Sequence, residues 1–142
     1  MPFFWFNKKR RNAEAFIAQL AKIPESSLRG DSSEERATAI TSMFGGMHVG
    51  EIGKAQDLAK SDVRFFSASV REDELVERWT GKLGQLSAIA TAHYDHMTVF
   101  VDQAGQFYAF ADPTNVLYPI GSDFRAAMEC LLLGKRYGPP VL

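Results

Sequence analysis

The stretch "LSAIATAHYDHMTVFVDQAGQFYAFADPTNVLYPI", residues 86–120, decides the fold. Its runs LSAIATAHY, MTVFVD, QFYAFA and NVLYPI are short, β-branched or aromatic, and separated by turn residues, which is the period-two signature of strands. Within DQAG, Gly105 can take the positive φ that a tight hairpin needs, so Asp102 and Gly105 mark one connection of an antiparallel meander.

On either side the periodicity becomes helical. Asn12 is a competent N-cap for a helix presenting Ala13, Phe16, Ile17 and Leu20 on one face, and Pro24 ends it. Ser32 and Glu35 have capping-box spacing before a second helix with the stripe Ala37, Ile40, Met43 and Phe44. MHVGEI predicts a short strand, GKAQDLAK a helical turn or two, and DVRFFSAS another strand. A second capping box, Ser69 with Glu72, is expected to open a helix carrying Leu75, Val76, Trp79 and Leu83, closed by Gly84. After Ser122 and Asp123, the residues Phe124, Ala127, Met128, Leu131 and Leu132 form the stripe of a last helix stopped at Gly134. The tail YGPPVL should be extended. This order predicts an α+β fold, a meander with helices packed on one face.

The chain has 142 residues, 46% of them hydrophobic and 23% charged, within the range of one globular domain with its own core. A single domain over 1–142 is expected, with residues 1–11 as an aromatic and basic arm. The only cysteine, Cys130, excludes an intrachain disulfide and fits a reducing compartment. The opening MPFFWFNKKRR reverses the order of a signal peptide, so the cytoplasm is the expected location. No apolar run approaches the roughly 20 residues of a membrane span. Four of the 16 basic residues lie in the arm, leaving 12 basic against 17 acidic in the body. That balance argues against direct nucleic-acid binding and permits a basic protein partner. The arm itself, with four consecutive aromatic residues, suits docking onto the chain's own helices or an oligomer contact better than a membrane surface.

Two segments raise the question of chemistry. FGGMHVGEIGK, residues 44–54, follows a predicted helix and lacks the spacing of a dinucleotide or phosphate loop. Gly45 and Gly46 therefore read as a left-handed helix cap followed by entry into the sheet. His93, Asp95 and His96 offer three metal or acid/base groups within four residues, and they converge only if a turn intervenes. A polar hairpin tip is the plainer reading, since no further water-activating shell is evident and His48 is the only other histidine. Cys130 lies beside its helix's apolar stripe and has no evident catalytic partner, so we expect a partly buried structural thiol. No nucleophile elbow is present.

Taken in order, MFGGMHVGE, DVRFFSAS, REDELVERWTGKLGQL, HMTVFVDQAGQFYAF and LYPIGSDFRAAMECLLLG resemble the SUKH-3 branch of the SUKH superfamily, which includes Smi1/Knr4-like proteins. The resemblance spans about residues 32–138 and rests on Phe44, Gly45 and Gly46, on Val101, Asp102, Gly105, Phe107 and Tyr108, and on Gly121 leading to Gly134. It implies a compact α+β domain without catalytic residues or cofactor, used in bacteria mostly as an immunity protein against a cognate polymorphic toxin, often a nuclease. The expected partner is that toxin, bound by a monomer or homodimer. Two alternatives stand beside it: a small metal-dependent hydrolase using His93, Asp95 and His96, and a Smi1-like regulatory scaffold.

Overall fold

A computed structural model describes residues 12–53 and 59–142. The aromatic and basic arm, and most of the turn expected in GKAQDLAK, lie outside the described residues. The elements in chain order are α1 (Ala13–Leu20), a 3₁₀ turn (Glu25–Leu28), α2 (Ser33–Phe44), β1 (His48–Val49), β2 (Val63–Val70), α3 (Asp73–Leu83), β3 (Ser87–Ala92), β4 (Met97–Val101), β5 (Phe107–Ala111), β6 (Val116–Gly121) and α4 (Phe124–Leu133). All six strands pair antiparallel in sequence order, so the sheet is a meander and the class is α+β, as the sequence predicts.

Helix starts follow their local chemistry. Asn12 accepts from the Ala15 N–H, Ser32 from Glu35 and Asp123 from Ala126, each satisfying an N–H that the first turn leaves without a partner. The expected capping box at Ser69 and Glu72 does not form. Ser69 stays in β2, held extended by the pairing of Val70 with Ala88, and α3 begins after Glu72 without a side-chain cap.

Burial comes from the two-residue alternation of the strands. One face of the sheet sends Val63, Phe65, Ile89, Val99, Val101, Phe107, Ala109 and Ile120 into a core shared with α1, α2 and α4. At its centre, Phe44 stacks on Phe124 at 5.3 Å and meets Phe16 edge-on at 5.3 Å, while Phe65 lies 6.0 Å from both Phe16 and Phe124. Full burial of each such ring contributes about 1.5–3 kcal/mol. Thr41 takes the buried place expected of Met43, with its hydroxyl donating to the Ala37 carbonyl, and Met43 is exposed.

Helices occupy both faces rather than one. The opposite face presents Ala88, Phe100, Tyr108, Phe110 and Leu117, and α3 covers these with Val76 and Trp79. Trp79 meets Phe110 edge-on at 6.0 Å, and its Nε1–H donates to the Val141 carbonyl at 3.0 Å. The extended tail also runs along β6, through Gly138 N–H to Pro119 O (2.9 Å) and Val141 N–H to Leu117 O (2.8 Å), which covers that edge. Strands that feed two cores must be apolar at successive positions. One extra residue in β3, Ile89, bulges between Ala88 and Ala90 so that Ile89 and Ala90 serve the same core.

At the α2 exit the two glycines exchange their expected roles. Gly45 closes the helix with φ −52°, and a Cβ there would meet the Thr41 carbonyl oxygen of its own helix and the Phe66 carbonyl oxygen at 3.1 Å. Gly46, at φ 81°, makes the left-handed step into the sheet. No helix among the described residues is long and apolar enough to cross a membrane.

Candidate functional site

His93, Tyr94, Asp95 and His96 close the β3–β4 connection as a tight turn, so the intervening turn that the sequence requires is present. His93, Tyr94 and Asp95 all lie in the left-handed region, with φ 54°, 57° and 64°. None is glycine, and each such residue costs roughly 1–2 kcal/mol. The turn therefore needs external support.

Asp62, the residue just before β2, supplies it. Its backbone carbonyl accepts from His93 N–H at 3.2 Å, its Oδ1 from Tyr94 N–H at 3.0 Å, and its Oδ2 from His48 Nε2 at 2.6 Å. Asp62 is 5% exposed. Burial pushes its carboxyl up, but the Tyr94 N–H and the His48 ring outweigh burial and hold it below the ordinary aspartate value. The ionised carboxylate is thus the clamp, and His48 donates to it from Nε2 while standing in the short strand β1.

The three residues read as a possible metal or acid/base cluster are close in space but do not converge. The His93 and His96 rings are 6.3 Å apart, His93 Nδ1 lies 3.5 Å from Ser61 Oγ, and Asp95 is engaged by the Thr91 hydroxyl. Among the described residues no group of three or more His, Cys, Asp or Glu side chains is placed to hold a metal ion. The His48–Asp62 pair has the form of an oriented imidazole, yet no hydroxyl or thiol among the described residues hydrogen-bonds to His48.

The other sequence markers have structural roles. Asp102 is buried, its Oδ1 accepting from the Ala104 and Gln106 N–H groups at 2.9 Å and its Oδ2 from the Tyr108 hydroxyl at 3.1 Å. Burial, with the Asp102 charge beside it, raises the Tyr108 hydroxyl pKa well above its ordinary value. Gly105, at φ 93°, completes that hairpin, and Gly134, at φ 76°, stops α4 in a left-handed cap. Gly121 lets β6 meet the α4 backbone closely. Cys130 is 3% exposed, more enclosed than the helical wheel suggests, and burial pushes its thiol up to about 11 despite nearby Lys135.

What the sequence reading missed is Tyr94, and with it Asp62. Tyr94 is 69% exposed at the tip of the turn. Beside it the β5–β6 turn brings Asp112 across from His96, the Asp112 N–H donating to the His96 carbonyl at 3.0 Å. Asp62 carries no local signal, because its partners lie 14 and 32 residues away in the chain.

The fold is an α+β meander whose β3–β4 turn is held by the buried Asp62 carboxylate. The SUKH-3 immunity protein family model matches residues 5–134, and the chain belongs to that family. No curated relative and no solved structure matches it. The match begins closer to the N-terminus than the resemblance read from motifs, taking in α1 and part of the arm.

Proposed function

We propose that the protein binds a cognate toxin and neutralises it by occlusion in the cytoplasm, without turnover. Membership of the SUKH-3 immunity protein family supports a toxin-immunity role, and this is the observation that carries the reading. That the toxin is a nuclease is the finer part of the proposal. It draws support from charge: between Lys82 and Arg125 the chain has no Lys, Arg or Glu, and two of its four aspartates, Asp95 and Asp112, are exposed on neighbouring turns. An enzyme that grips nucleic acid presents a basic cleft, which such a surface complements.

The test is co-expression with the toxin domain encoded by the adjacent gene. The proposal expects restored growth and co-elution of the two proteins in equal amounts. Toxicity undiminished by well-folded protein, with no complex on size-exclusion chromatography, would count against it.

A further inference from the structure

Among the described residues the large hydrophobic side chains left exposed are Met43, Leu75, Tyr94 and Leu142, and of these four only Tyr94 is aromatic. It stands on a turn of three consecutive left-handed residues, where a glycine-containing hairpin would close the strands more easily. The clamp from Asp62 fixes the backbone under the ring, so Tyr94 is presented on a rigid base and loses little freedom on binding. Tyrosines in that position are frequent binding anchors, because the ring supplies contact area and the hydroxyl a polar end.

Charge around the ring selects the kind of partner. Asp95 and Asp112 are exposed at the two neighbouring turns, and neither turn contains a Lys or Arg. Lys and Arg come only from adjoining segments: Arg64 stands opposite Thr91 in β2, and Lys135 and Arg136 line a cleft with His93, Lys135 being paired to Glu129 at 3.3 Å. A partner offering Lys or Arg here would meet two carboxylates and the face of a phenol ring. The outer face of α3 is a poorer candidate, since Glu74, Glu77, Arg78 and Lys82 mix signs as an ordinary solvated helix does.

We infer that the paired turns His93–His96 and 112–115 form the surface that meets the toxin, with Tyr94 entering an apolar pocket whose rim supplies cations to Asp95 and Asp112. This rests on the toxin-binding reading above. The test titrates the full chain and its variants against a catalytically inactive toxin domain from the adjacent gene. Tyr94→Ala is expected to weaken binding roughly thirtyfold or more. Asp95→Asn with Asp112→Asn flattens the salt dependence, and Leu75→Ala on α3 binds as the wild type does. Tight wild-type binding together with a Tyr94→Ala change below about threefold overturns the assigned surface and leaves the toxin-binding reading standing. Failure of the folded wild type to bind overturns both.

Discussion

Removing the Asp62 carboxylate is the most informative perturbation of the fold. In Asp62→Ala the Tyr94 N–H and His48 Nε2 lose acceptors at 3.0 and 2.6 Å, both directed at a carboxylate that is 5% exposed. A hydrogen bond to a charged group contributes about 1.5–3 kcal/mol, and water can reach part of the His48 ring, so the combined loss should be about 3 kcal/mol. For a chain of this length that lowers the melting temperature by about 10 °C. Thermal unfolding followed by circular dichroism at neutral pH measures it. The difference should also depend on pH. Because the folded carboxyl titrates below its ordinary value of 3.8, its stabilisation is complete above that value and fades as pH falls through the lower folded one. The gap between wild type and Asp62→Ala should therefore narrow in acid. A drop of less than about 3 °C at neutral pH, or a gap that widens below about pH 4, would refute the clamp.

Other substitutions separate strain, close packing and exposure. Tyr94→Gly removes a left-handed cost of roughly 1–2 kcal/mol and adds about 0.5–1 kcal/mol of unfolded-state entropy, so the melting temperature should hold or rise slightly while toxin binding falls. Gly121→Ala places a Cβ 2.5 Å from the Ala127 backbone nitrogen and 2.9 Å from Ala126 C, and α4 cannot yield there. Overpacking of that kind costs about 1–3 kcal/mol or more. Gly81→Ala meets nothing within 4 Å and lies inside α3, so it should stabilise by up to about 1 kcal/mol. Opposite shifts of the two alanine variants in one denaturant series check the pair. Cys130, with its thiol raised to about 11, should resist a thiol-disulfide reagent at pH 8 in the native protein and titrate as one thiol in denaturant.

The features legible in the sequence are those with short-range causes. The caps of α1, α2 and α4 join residues three apart, and the Asp102–Gly105 hairpin is set within five residues, so each could be read locally. The meander followed from its alternation. Placement of α3 did not, because which face a helix covers depends on the whole sheet. The signal was nevertheless present in the set Phe100, Tyr108, Phe110 and Leu117, apolar residues interleaved with those of the first core. Met43 was misplaced because helical spacing does not say how far the neighbouring sheet extends, and Thr41 faces the sheet instead. At the candidate site, His93, Asp95 and His96 were visible as polar residues of a turn. Asp62 and the strained backbone under Tyr94 were not, since both arise from contacts across β2 and β3.

Stoichiometry of inhibition tests the central claim most directly. The active toxin domain is assayed on its own substrate at fixed concentration while the protein is titrated in. Activity should fall linearly to zero at one equivalent, independent of incubation time, as occlusion by a tight complex requires. Time-dependent inactivation by a small fraction of an equivalent would make the protein a catalyst, and undiminished activity at excess would remove the toxin as its partner.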